Sequence, residues 1–117
     1  MHAISRLNRR QLGTLALAVA ATFSGPVMAQ EVVKIGYSGL LSGGAAQYGK
    51  NALDGMLLAA DELNAAAMDI GGKKVKFEIV PLDDKYNPSE TAINAQRLVQ
   101  QHKTAAILVP HSGGIFA

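Results

Sequence analysis

Three clusters in this chain carry side chains with chemical potential: the Ser/Gly/Ala-rich stretch Ser38–Gly49, the acidic pair Asp83-Asp84, and His111-Ser112 within Pro110–Gly114. A loop of small residues and hydroxyls running into a helix brings backbone N–H groups to a helix N-terminus, where the macrodipole favours a bound anion. The loop matches neither G-x-G-x-x-G nor G-x-x-x-x-G-K-[ST], and Lys50 is followed by Asn51 rather than a Ser or Thr that would hold Mg²⁺. Nucleotide binding is therefore not expected.

Asp83-Asp84 invites a metal-binding or general acid/base reading. Adjacent loop residues rarely aim both carboxylates at one substrate, and a phosphoryl receiver needs an Asp at the end of the third strand, where Pro110-His111 stands. The pair reads better as caps for its own turn and for the following helix. His111 and Ser112 are sequence neighbours, which spoils Ser–His nucleophile geometry, and no G-x-S-x-G elbow surrounds Ser112. Without cysteines or H-x-x-x-H spacing, no metal site, cofactor site or thiol nucleophile is expected. What remains is recognition. Ser38, Ser42 and Ser112, with nearby N–H groups, suit a carboxylate or another small polar anion. Tyr48 suits either packing at a helix start or contact with the apolar part of a ligand.

These residues need elements to position them. Val32–Tyr37 reads as a buried strand. A helix over Ala46–Ala67 places Leu53, Met56, Leu57, Ala60 and Leu63 on one stripe facing the sheet. Gly71-Gly72 turns the chain back. Val75–Val80 alternates as a second strand, closed or bent by Pro81. Asn87, Pro88 and Glu90 mark the start of a second helix that runs to His102, with Ala92, Ala95, Leu98 and Val99 inward. Ala105–Val109 is a third strand, expected to be central because it is wholly apolar. The order β-α-β-α-β with right-handed crossovers makes an α/β fold, a parallel sheet with helices on both faces. The usual arrangement sets the first strand between the other two, so the loops after the first and third strands meet at a switch point, where ligands bind. Those two loops are Ser38–Gly49 and Pro110–Gly114.

The first 29 residues read as a secretory signal peptide cut after Ala29: a basic segment with Arg6, Arg9 and Arg10, the uncharged Leu12–Phe23, Gly25-Pro26, then Val27-Met28-Ala29. The apolar run is well short of the roughly 20 residues that span a bilayer. Arg9-Arg10 leaves the choice between general and twin-arginine export open. Removing the leader changes the net charge from +2 to −1, because eight basic residues then face nine acidic ones. No sustained basic patch supports nucleic-acid binding. With no lipid-acceptor Cys and no spanning helix, the mature protein is expected to be free of the membrane, in the periplasm or secreted. Ala117 comes where an α/β chain would begin its next helix, so residues 30–117 are expected to be the start of something longer.

V-K-I-G-Y-S-G-L-L-S-G-G-A-A-Q-Y-G, D-E-L-N-A-A-A, G-G-K-K-V-K-F-E-I-V, D-D-K-Y-N-P-S-E-T-A-I-N-A-Q-R-L-V and the terminal P-H-S-G-G together resemble the Leu/Ile/Val-binding family. These are periplasmic solute-binding components of branched-chain amino acid ABC transporters. The resemblance covers Val32–Gly114. It implies a type I periplasmic binding protein of two α/β lobes closing on a small amphipathic solute, with part of the first lobe present here. It also implies an inner-membrane ABC permease as partner, and no enzymatic activity. His111, Ser112 and Gly113 match the loop that holds the ligand's carboxylate, and Tyr48 matches an aromatic lining the side-chain pocket; Ser42 joins them from the first loop. Some members carry a disulfide between positions that here are Tyr86 and Ser112. Gly113 stands where a second hydroxyl residue is common. The expected solute is a branched-chain amino acid or a related amino acid, amide or organic acid. A sensory domain of the same fold and an exported α/β hydrolase are the alternative readings.

Overall fold

The computed structural model describes residues 29–113, so the expected leader, apart from Ala29, lies outside the described residues, as does Gly114. Four strands and two helices follow in the order β1 (Glu31–Gly39), α1 (Ala46–Ala65), β2 (Asp69–Ile70), β3 (Lys73–Asp83), α2 (Pro88–Gln100) and β4 (Ala106–Leu108). The sheet order is β2-β3-β1-β4. β1 pairs in parallel with β3 from Glu31↔Val75 to Gly39↔Asp83, and with β4 from Ile35↔Ala106 to Tyr37↔Leu108. This is the expected βαβαβ core with its first strand in the middle. The added piece is β2, two residues pairing antiparallel with Lys73-Lys74 across the Gly71-Gly72 turn.

Side-chain alternation along β1 assigns each helix to a face. Ile35 faces α1 with Phe77 and Ile79, against Met56, Ala59, Ala60 and Leu63. Gly36 faces α2, so closely that a Cβ there would lie 2.9 Å from Leu98 Cδ1. Burial along β1 deepens from its exposed start to Gly36–Gly39, which places the most enclosed part of the fold at the carboxyl end of the sheet.

Four expectations change. Pro81 does not close the second strand; it pairs with Tyr37, and β3 continues to Asp83. The Asn64 side chain explains how. Its amide donates to Phe77 O at 2.9 Å and accepts from Phe77 N at 2.7 Å, so Phe77 turns its backbone groups away from β1. Pro81, four residues on, has the same orientation, and its missing N–H costs no bond to β1. The third strand is an edge among the described residues rather than central, with Leu108 still exposed. Leu57 and Val99 stand outward, not on the inward stripes. α2 instead buries Thr91, Asn94 and Leu98, a stripe at the i, i+3, i+7 helical repeat whose first two members are polar.

α2 begins as expected. Asn87 Oδ1 accepts from Ser89 N at 2.8 Å and Glu90 N at 3.4 Å, and Pro88 occupies the first turn. The cap's own N–H donates to Asp84 O at 2.9 Å, tying the helix to the end of β3.

Candidate functional site

The carboxyl ends of β1, β3 and β4 surround a cleft of about 640 Å³ lined by the first loop (Leu40, Ser42–Ala45), the first turn of α1 (Tyr48, Gly49), Lys85 and Tyr86 after β3, and Pro110 and His111 after β4. It lies at the switch point, where β3 and β4 leave opposite sides of β1. Gly43 has φ +84°, a backbone state that favours glycine, and lets the loop turn into α1. That helix has no side-chain cap at Ala45, and its first turn lines the cleft at Tyr48 and Gly49.

Gly49 brings α1 against the first loop: a Cβ there would lie 1.8 Å from Leu40 O. Beneath it, the fully buried Tyr37 donates its hydroxyl proton to Gly49 O. Burial, reinforced by the charge of Asp84, pushes the Tyr37 hydroxyl above its ordinary value.

The acidic pair organises the other wall without entering the cleft. Asp83 Oδ1 accepts from Leu41 N and Lys85 N, each at 3.0 Å. Partial burial raises the Asp83 carboxyl, but the Ser42 hydroxyl, those two N–H groups and the Lys85 ammonium together hold it below its ordinary value. Asp84 is fully buried. Its Oδ1 accepts from Tyr86 N at 3.0 Å; its Oδ2 accepts from Ser38 Oγ at 2.9 Å and Thr91 Oγ1 at 3.2 Å, and meets His111 Nε2 at 2.7 Å. Asn94 Nδ2 closes the network on Ser38 Oγ at 3.2 Å and Asp83 O at 2.9 Å. Among the described residues, every buried side-chain nitrogen and oxygen has a hydrogen-bond partner. To receive these N–H groups the chain turns left-handed at Lys85 (φ +53°) and Tyr86 (φ +60°), a strained state for residues with a Cβ. The same turn puts both residues on the cleft wall.

Of the residues singled out by sequence, Ser42, Tyr48 and His111 line the cleft, with Tyr48 80 % exposed. Ser112 and Gly113 are not among the lining residues. The Ser112 hydroxyl meets the Tyr86 hydroxyl at 2.9 Å, joining by a hydrogen bond the two positions at which some relatives were expected to carry a disulfide. The Tyr86 ring lies 4.8 Å from that of His111, tilted by 35°. Gly113 abuts the imidazole, since a Cβ there would lie 3.2 Å from His111 Nδ1. Ser38 is not a ligand contact as expected: it is fully buried, and its hydroxyl is directed to Asp84.

Sequence reasoning did not place Lys85 or Tyr86 in the cleft, nor Asp84 at the centre of a network. A signal existed for Asp84, namely the polar Thr91 and Asn94 at the positions of α2 that should face the sheet. Chemically the cleft offers hydroxyls, N–H groups, one lysine, one imidazole and two phenol rings, while no carboxylate lines it. That favours an anionic or polar group next to an apolar body. Among the described residues, no cluster of three or more His, Cys, Asp or Glu is placed to hold a metal ion.

A family model described as periplasmic binding protein matches residues 32–117. An amino acid binding protein of Pseudomonas aeruginosa is 36% identical over 96 residues, which are 82% of this chain and 25% of that relative. The chain thus spans about a quarter of the length of the curated relative it matches. Among solved structures, the branched-chain amino acid transporter substrate binding protein of Streptococcus pneumoniae, in complex with isoleucine, is 38% identical with a TM-score of 0.62. The match covers 73% of this chain and 24% of that one. A solute binding protein of an ABC transporter from Rhodopseudomonas palustris, in complex with 3,4-dihydroxybenzoic acid, is 28% identical with a TM-score of 0.52. That match covers 65% of this chain and 20% of the other.

Proposed function

The chain belongs to the periplasmic binding protein family, and on that premise we propose that it is the start of an exported solute receptor serving an ABC transporter. Family members bind solutes rather than catalyse reactions. In this reading residues 1–29 are removed after Ala29, and residues 30–117 form part of the first lobe of a bilobed domain that closes on its solute in the periplasm. The closed form is then presented to an inner-membrane permease. Among the described residues, no helix is long and apolar enough to cross a membrane.

The observation that carries the reading is the cleft at the switch point. Its wall combines Ser42, the first turn of α1, Lys85 and His111 with the rings of Tyr48 and Tyr86. A solute with a carboxylate beside an apolar body suits that wall. Isoleucine and 3,4-dihydroxybenzoic acid, held by the two structural relatives, both have this form. One lobe covers only one side of such a molecule, whereas good small-molecule sites bury most of the ligand's surface. Tight binding therefore belongs to the whole protein. We assign the solute as a branched-chain amino acid or a related amino acid, amide or organic acid, contacted by Ser42, Tyr48 and His111, with Ser112 and Gly113 shaping the loop behind them.

Calorimetry on the full-length mature protein with L-leucine, L-isoleucine, L-valine, benzoate and acetamide tests this. One probe is expected to bind, and Tyr48→Ala to weaken it about tenfold, equivalent to about 1.4 kcal/mol. If no probe binds, the solute class is wrong; if Tyr48→Ala changes nothing, the cleft is not the site.

A further inference from the structure

Asp84 is the most heavily engaged side chain of the described fold, and it lies behind the cleft rather than in it. Two of its partners, Ser38 Oγ and Thr91 Oγ1, belong to the scaffold, and a third, Tyr86 N, belongs to the backbone of a residue on the cleft wall. All three present a proton to the carboxylate, Thr91 sharing its own with Asn87 O at 3.1 Å. The fourth partner, His111 Nε2 at 2.7 Å, fits the same pattern in the tautomer that carries its proton on Nε2. This contact differs from the others because it holds a side chain on the cleft wall, whereas Tyr86 is held there through its backbone N–H.

The ring is held on three sides. Asp84 takes Nε2, the Tyr86 ring lies 4.8 Å away, and Gly113 stands beside Nδ1, where a Cβ would make a tight contact at 3.2 Å. Tyr86 itself depends on Asp84, which accepts its N–H and so sustains the left-handed turn. Among the described residues, the only strand pairing that anchors the His111 loop from its N-terminal side is that of the three-residue β4 with β1. The buried carboxylate thus attaches the imidazole directly to the scaffold.

We propose that Asp84 is a positioning residue of the solute site, fixing the tautomer and orientation of the His111 ring on the cleft wall without touching the solute. The proposal rests on the reading of the cleft as a solute site. A merely structural Asp84 would change stability; a positioning Asp84 changes affinity through His111.

Imidazole ¹⁵N NMR and calorimetry with L-isoleucine and benzoate, on the full-length mature protein, separate the two. In the wild type, His111 is expected to show a protonated Nε2, and Asp84→Asn to mix the tautomers. Asp84→Asn and His111→Ala should each weaken whichever probe binds by about tenfold or more, the scale of losing a charge-assisted hydrogen bond. The double variant should bind no worse than the weaker single one within about twofold, because both changes remove one arrangement. Thr91→Val, which removes a different donor from Asp84, should lower the melting temperature and leave affinity unchanged. A wild-type ring protonated at Nδ1 alone, additive losses in the double variant, or an affinity loss in Thr91→Val matching that of His111→Ala overturns the assignment. If Asp84→Asn does not fold, the wild-type tautomer and the contrast between Thr91→Val and His111→Ala still decide it. If neither probe binds the wild type, the solute-site reading falls and takes this assignment with it. Binding unchanged in Asp84→Asn sinks only the assignment.

Discussion

On one face of the sheet, α2 buries Leu98 completely against Gly36 and closes Thr91, Asn94 and Ser38 around Asp84. On the other face, α1 lies across Ile35, Phe77 and Ile79, leaves a shallow apolar groove of about 160 Å³, and exposes much of Leu57, Leu58 and Leu63. The α2 face is small, closed and directional, for each polar atom in it depends on a partner at a given distance. The α1 face relies on apolar contact, which scales with area and has little directionality. Apart from the two bonds between Asn64 and Phe77 near its far end, α1 is held as tightly as the α2 side at its first turn, at Gly49. The two tightly built places flank the cleft, Tyr37 and Gly49 on one side and Asp84 and His111 on the other. The fold is therefore least tolerant of change around its site, and the following variants probe that gradient.

Gly49→Ala should have the largest effect. Its Cβ would meet the carbonyl oxygen and carbon of Leu40 at 1.8 and 2.6 Å, and both are backbone atoms with no rotamer to yield. The first loop and α1 must separate, breaking the Tyr37–Gly49 bond, with an expected loss of about 3 kcal/mol or more. Urea unfolding of the full-length mature protein measures it. Wild-type stability in this variant would show that α1 tolerates change along its whole length.

Leu98→Ala comes next. Leu98 is fully buried and packs on a glycine, so nothing beneath it can grow into the space left behind. The expected loss is about 3 kcal/mol, within the range for buried leucines. Leu98→Met should cost under about 1.5 kcal/mol, because the volume is kept. A similar loss for both would mean that shape, rather than a cavity, governs this face.

The same contrast explains what the sequence made legible. Apolar periodicity gave the strands, the helices and the switch point, because area-driven packing leaves regular spacing. It assigned Leu57 and Val99 to the core by the same rule, and there it failed, since the short sheet gives those positions nothing to cover. Thr91 and Asn94 were invisible to an apolar pattern, yet they are what α2 buries. Pro81 misled because its effect depends on which way the backbone faces, and that is set by Asn64, a residue in another element. At the site, Ser42, Tyr48 and His111 lay on loops whose convergence followed from topology. Lys85 and Tyr86 did not, because two consecutive left-handed residues are stabilised by carboxylates whose aim only the folded chain shows.

A smaller effect is expected at Asp83, the less buried member of the acidic pair. Its carboxyl lies below its ordinary value of 3.8, so the ionised form is favoured by folding. The associated stability is present above that value and is lost as pH falls through the lower folded one. Asp83→Asn should lower stability modestly at neutral pH and flatten the decline on acidification. Melting temperatures between neutral pH and pH 3 measure this. A variant that retains the full acid decline would assign that decline to other carboxylates.

Leu58→Ala should have the smallest effect, although leucine is the residue that most often signals a core. Leu58 is 62 % exposed on α1, away from the groove formed by Met56, Ala59, Ala60 and Leu63. Its removal exposes little that is now covered, and alanine is at least as good a helix former, so stability should stay within about 0.5 kcal/mol. The isolated 117-residue chain and the full-length mature protein should agree on this value if the outer face of α1 is solvated in both. A loss of about 2 kcal/mol confined to the longer protein would instead place Leu58 under structure that this chain does not contain. The α1 face would then be an interior surface uncovered here, rather than the more tolerant side of the fold.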